Sequence, residues 1–254
     1  MTRTARAVPV RDEGREGMQL IFHDPLSLYK FVDEKMGEIP LGRLFNDDTH
    51  RILREQWCAS VFGIGYDYYV RPCRVAVEES LENRGIDFLL EAGDKEFSFQ
   101  TTEAQEEGRE RGKEYKEIEQ GKVVTHPYTP ERGRQEGPDW IVNAIARKAE
   151  KHYSDIKDLN LLVYVNFTAH EMHFDEIKKK AKEYRGTFSS IWLLTNSLIA
   201  TLSPNNDIGD IPGWGKIWDR PEGSTILGSL RPRVWGMEGG KILLAKNKGS
   251  RGNQ

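Results

Sequence analysis

The 254-residue chain sets 37 Lys and Arg against 40 Asp and Glu, a formal net charge of −3, which excludes the global basic field that draws a protein onto nucleic acid indiscriminately. Hydrophobic residues at 37% and charged residues at 30% describe a compact centre with long solvated segments, and two isolated cysteines, Cys58 and Cys73, exclude a disulfide framework or a cysteine-rich zinc site. No apolar run reaches the length of a membrane span and the N-terminus lacks the apolar core of a secretory signal, so a cytoplasmic protein is expected.

Residues 1–17 are charged and poor in apolar side chains, bury too little surface to offset their ordering entropy, and read as a flexible tail. Residues 246–254 read the same way. Asp24 before Pro25 marks a helix start, with Leu28, Phe31 and Val32 on the apolar face. Asn46, Asp47, Asp48 and Thr49 offer capping oxygens to a second helix, in which Ile52, Leu53, Gln56, Trp57, Ser60 and Val61 fall at helical spacing and which carries Glu55. From Tyr66 the pattern turns β-rich, with Tyr68, Val70, Val75 and Val77 around Pro72, and a strand is expected near 73–79. A turn at 82–85 leads into IDFLLEAG, closed by Gly93 and Asp94. Residues 96–104 then alternate Phe97, Phe99 and Thr101 against Ser98, Gln100 and Thr102, which predicts a β-hairpin.

Residues 105–138 are charged and rich in Gly and Pro, the composition of a helical flank followed by a long exposed loop. Asp139 is expected to cap a helix ending near Tyr153, with Ile141, Val142, Ile145 and Ala149 as its stripe. LNLLVYVNF is an apolar run too short for a buried helix and reads as a buried strand; a helix near 174–184 and a strand at 188–196 repeat the alternation. Beyond Pro204 the pattern loosens, with strand-like pieces at ILGSL and KILLA. The order implies one α/β domain over 18–245, with a core at about 50–200 and a C-terminal extension at 204–245. Its mixed sheet is an antiparallel meander extended by parallel strands through crossover helices.

Positions i and i+2 of a strand share a face, so Gln100 and Thr102 point one way and Phe99 and Thr101 the other, with Asp87 on the neighbouring strand in reach. Helix, three-stranded meander, helix and strand, with GIDFLL at 85–90 and FSFQTTEA at 97–104, resembles the core of the PD-(D/E)XK nuclease superfamily over roughly residues 50–167. The resemblance implies a restriction-endonuclease-like α-βββ-α-β core and Mg²⁺- or Mn²⁺-dependent hydrolysis of a phosphodiester, for which hard oxygen ligands are required. By the same resemblance Asp87 is the bridging ligand, Gln100 a second ligand through its carbonyl oxygen, and Glu55 an auxiliary acid. Thr102 occupies the place usually held by lysine. Lys95, Lys113 or Lys116 are the candidates to replace that ammonium, and Glu103 enters only if a bulge turns it inward. The implied partner is nucleic acid, DNA before RNA; no membrane is involved, and self-association is left open.

Weaker signals accompany these. Glu78 and Glu79 compete with Glu55, and His170 and His173 have an i, i+3 spacing with no third ligand in view. Arg109, Arg111, Lys113 and Lys116 alternate with glutamates, as in a salt-laced solvated helix or, alternatively, a phosphate-tracking stripe in which Arg109 and Lys116 contact nucleic acid, while Arg132 and Arg134 in the expected loop are freer to meet phosphates. Trp214, Trp218 and Trp235, near Gly and Pro, read as packing under loops before a role in stacking a base. Two rivals keep their place: a noncatalytic domain of the same fold that binds nucleic acid or protein, and an interaction protein whose sheet only looks like a nuclease.

Overall fold

The structure is a computed structural model that describes residues 20–82, 84–120, 122, 129–151, 158–167, 172–218, 237–238 and 241–242. The expected tails, the ILGSL piece, His170 and Trp235 lie outside the described residues. Among the described residues no helix is long and apolar enough to cross a membrane.

Helix α1 (Pro25–Glu38) starts where Asp24 predicts, its Oδ1 accepting the Ser27 amide at 2.9 Å. A short α2 (Leu41–Asn46) and one 3₁₀ turn (Asp48–His50), capped by the Asp47 carboxylate, lead into α3 (Arg51–Tyr69). Here the β-rich reading of Tyr66–Val70 is corrected. Tyr66 lies one turn after Phe62, both are fully buried, and the Tyr66 hydroxyl donates to the Ile208 carbonyl at 2.6 Å, so tertiary packing overrides the local strand preference. Two glycines let α3 approach its neighbours closely: a Cβ at Gly63 would stand 2.8 Å from Cγ of Pro25, and one at Gly65 would stand 3.1 Å from Ile199.

The meander follows as β1 (Arg74–Ala76), a turn of helix α4 (Glu79–Glu82), β2 (Phe88–Ala92) and β3 (Lys95–Ala104). The expected hairpin forms, with Phe88 opposite Phe99 and Ala92 opposite Lys95, and Gly93 supplies the positive φ of +67° at its turn. Helix α5 (Arg111–Glu119) is the expected flank. The long loop after it is a correction: α6 spans Pro130–Ala149, so Arg132 and Arg134 are helical and Asp139 is an interior residue rather than a cap. Thr129 caps this helix, Pro130 sits in its first turn where a missing N–H costs nothing, and Asp139 pairs with Lys180 at 2.5 Å. Gly137 packs so closely on Phe167 that a Cβ would come within 2.5 Å of the ring.

β4 (Asn160–Val165), α7 (Phe174–Lys180) with a 3₁₀ turn (Ala181–Tyr184), and β5 (Ile191–Leu194) complete the expected alternation. Two further strands were not anticipated, β6 (Leu198–Ser203) and β7 (Gly215–Lys216), and a hairpin of β8 (Met237–Glu238) with β9 (Lys241–Ile242) covers part of KILLA. β1 to β7 form one mixed sheet in chain order, β3, β4 and β5 parallel and every other neighbour antiparallel.

Alternation along the strands divides the core. Phe88, Leu90, Phe97, Phe99, Leu162 and Trp192 pack against α1 and α3. Ala104, Leu161, Val163 and Leu193 pack against α6 and α7. A helix therefore covers each face, and the carboxyl ends of β3 and β4 open between α2, α3 and α5.

Candidate functional site

Asp87 stands immediately before β2 and its amide donates to the Phe99 carbonyl at 2.8 Å, which fixes its backbone against β3. Its carboxylate collects three bonds from that strand. Oδ2 accepts from the Thr101 amide and from Thr101 Oγ1, each at 2.6 Å, and Oδ1 accepts from Gln100 Nε2 at 3.1 Å. Three of about four acceptor positions of a carboxylate are thereby taken, which fixes the position and orientation of the group.

The Gln100 side chain lies on the α6 face of β3. Its Nε2 also donates to the Gly85 carbonyl at 2.5 Å, while Oε1 accepts from Lys148 Nζ at 2.5 Å. This network determines the orientation of the amide, since the reverse would set the NH₂ group against an ammonium and Oε1 against a carbonyl. Gln100 thus couples Asp87 to Lys148, and the carbonyl oxygen expected to face a cation is engaged by an ammonium. Burial lowers the Lys148 pKa, while the negative charges of Asp87 and Glu55 act to raise it.

Lys148 was missed by sequence reasoning. It is 48 residues from Gln100 and belongs to a charged helix end, ARKAEK, where nothing distinguishes an inward lysine from a solvated one. The available signal was the helical phase, for Lys148 follows Ala144 and Ile141 at i+4 and i+7 on the buried stripe.

Glu55 enters from α3 on the other face. Its carboxyl is pushed from the ordinary 4.5 to about 7, first by burial and then by the negative charge of Asp87, which outweigh the attraction of Arg51. Arg51 lies 3.5 Å from Glu55 and also hydrogen-bonds Glu82. The negative charge of Asp87 thus acts on Glu55, and one or two carboxylates plus water suffice for Mg²⁺. Among the described residues no three His, Cys, Asp or Glu side chains gather as a fuller cage. Asp87 and Glu55 are the residues that could hold Mg²⁺ or Mn²⁺, with the Thr101 hydroxyl bonded to Asp87 as a neutral oxygen.

The remaining sequence candidates fall on either side of this group. Glu103 borders the same cavity as Glu55 and Thr101 without any bulge, and it accepts a hydrogen bond from Asn166. Thr102 also borders that cavity. Lys113 is 69% exposed beside Glu110, and Lys95 pairs with Asp207 at 2.7 Å. Neither is brought to Asp87. Lys116 is exposed on α5. Arg132 pairs with Glu136 and Arg134 with Glu131 along α6, so each already holds an acid. Arg109, with its side chain 10% exposed, is clamped between Glu106 and Glu114 and serves to pin α5. Glu78 accepts from the Ile21 amide, and His173 precedes α7. Trp218 packs on Tyr29 and Trp214 on Phe174, as expected of residues under loops. Cys58 borders the cavity, but burial, then Glu55 and Asp87, push its thiol up to about 12, so it stays protonated and is no nucleophile.

No family model matches the chain, and no curated protein or solved structure matches it either.

Proposed function

We propose that the chain is a metal-dependent phosphodiesterase of the PD-(D/E)XK type, acting on nucleic acid, in which Lys148 on α6 stands in for the lysine absent at Thr102. The observation that carries this is the bonded line Lys148–Gln100–Asp87, with Glu55 driven to about 7 in front of it. The helix, meander, helix and strand order over α3, β1 to β3, α6 and β4 supports the same reading.

Asp87 and Glu55 would hold Mg²⁺ or Mn²⁺, which when bound lowers the pKa of a water and polarises the phosphate. The chain's own residues do the rest. Thr101 and Gln100 fix the Asp87 carboxylate so that its charge needs no reorganisation. Lys148, held by Gln100, presents a positive charge where negative charge develops on the phosphoryl oxygens. Arg51 balances Glu55 and orients it.

The test is incubation of the purified chain with single- and double-stranded DNA and RNA in Mn²⁺ and in chelator. Metal-dependent products that vanish with Asp87→Asn are expected; no cleavage of any substrate refutes the enzymatic reading. The engaged Gln100 carbonyl favours the second reading, a noncatalytic domain of the same fold, and salt-dependent binding without products would select it.

A further inference from the structure

A cavity of about 440 Å³ opens beside Glu55, within the range of small-molecule sites, roughly 300–1,000 Å³. It lies at the carboxyl ends of parallel β3 and β4, where α/β sheets commonly take ligands. Its walls are aromatic. Phe45 of α2 and Tyr115 of α5 stack with centroids 4.4 Å apart and planes 10° apart, and Trp57 and Tyr164 meet edge to face at 5.6 Å. Its floor is polar, formed by Glu103 and Asn166, whose side chains are hydrogen-bonded to each other.

The walls are braced before any ligand arrives. Arg54 donates to the Leu44 carbonyl at 2.5 Å and to that of Asp47 at 3.2 Å, which ties α2 to α3. Arg109 ties the start of α5 to the end of β4 through Glu106, Glu114 and the Asn166 carbonyl. Preorganised aromatic walls, a polar floor and an adjoining carboxylate pair describe a receptor for a planar heterocycle joined to a phosphate.

We propose that this cavity receives one unpaired nucleotide of the substrate strand, so that the enzyme acts on single strands or strand ends rather than on intact duplex. The inference rests on the phosphodiesterase reading for the position of the phosphate, and on the cavity alone for the base. A paired base has its faces covered by its neighbours and its edge by its partner, and it can satisfy neither the walls nor the floor without leaving the stack.

The test is fluorescence anisotropy with a labelled single-stranded oligonucleotide and its blunt duplex, in Ca²⁺ so that binding is read without turnover. Single strand is expected to bind at least about tenfold more tightly than duplex, an increment of one stacked base. Tyr115→Leu should lower single-strand affinity by roughly five- to a hundredfold and leave duplex affinity unchanged, while Tyr115→Phe retains it. Equal affinity for the two forms overturns the proposal. Because Tyr115→Leu can also loosen α5, the wild-type chain is photocrosslinked to an oligonucleotide ending in 4-thiouridine. Adducts on the peptides carrying Phe45, Trp57 or Tyr115 support the proposal, and adducts confined to other peptides overturn it. A Mn²⁺ titration followed by electron paramagnetic resonance separates the two claims. Mn²⁺ bound by the wild type but not by Asp87→Asn, without strand discrimination, sinks the cavity assignment alone. Strand discrimination without Mn²⁺ binding sinks the enzymatic reading alone.

Discussion

Replacing Glu55 by Gln is expected to stabilise the metal-free protein at pH 8 and to change its stability little at pH 5. The folded carboxyl titrates at about 7 against an ordinary 4.5. Below 4.5 the folded and unfolded chains both hold the proton; between the two values only the folded chain does, so stability from this group falls as pH rises and reaches its floor above 7. The difference, 7 less 4.5, is 2.5 pH units, and at 1.36 kcal/mol per unit it is worth about 3 kcal/mol. Water at a side chain 16% exposed reduces this to about 2–3 kcal/mol, a figure that already contains the attraction of Arg51. A neutral amide avoids that cost. Urea unfolding at pH 5, 6, 7 and 8 should therefore show Glu55→Gln gaining on the wild type with pH, by about 1 M in midpoint at pH 8 if m is about 3 kcal/mol per M. Millimolar Mg²⁺ should reverse the order at pH 8, because a cation stabilises the ionised carboxylate and not the amide. Parallel curves for the two proteins across this pH range, or equal stabilisation of both by Mg²⁺, would refute the reasoning.

Lys148→Met removes the donor to Gln100 together with a buried ammonium, so unfolding free energy should move by less than about 1 kcal/mol while cleavage in Mn²⁺ falls by about a hundredfold or more. Equal activity at equal melting temperature would exclude Lys148 from the site. Arg109→Met leaves Glu106 and Glu114, with side chains 1% and 11% exposed, without their common counter-ion, and should cost about 3–5 kcal/mol in urea unfolding. Ser190→Ala breaks the buried line from Trp192 Nε1 through Ser190 Oγ to Asn160 Oδ1, bonds of 2.7 and 2.6 Å, and should cost about 2 kcal/mol by the same measurement.

The elements most legible in the sequence are those whose burial is written locally. Phe97 and Phe99 alternate with polar residues after a Gly93 turn, and the apolar runs of β4 and β5 have no other home in a sheet covered on both faces. What was lost depends on distant partners. PERGRQEGP has the composition of a loop, and it is helical because Gly137 docks on Phe167 and Thr129 caps the start. Tyr66 to Tyr69 carry strand propensity and remain helical because Tyr66 reaches Ile208. β6 was overlooked although Thr195-Asn196-Ser197 is a turn signal before an apolar run. At the site, the neighbourhood of Asp87 and Gln100 followed from strand geometry. Lys148 did not, since its approach to β3 is fixed by the crossing of α6 and by no feature near it in the chain.

The two glycines of α3 make that helix a lever. Gly63 meets the Pro25 ring and Gly65 the Ile199 side chain within the space a methyl group would need, so the rod is held there from two sides. Glu55 rides eight residues before Gly63, roughly 12 Å along the axis at about 1.5 Å per residue. A swing of about 5° at the fulcrum would carry the carboxylate about 1 Å, a displacement that under the proposed phosphodiesterase reading would cost roughly a hundredfold in rate. The position of the Glu55 carboxylate is thus set far from the group itself, by the absence of two methyl groups.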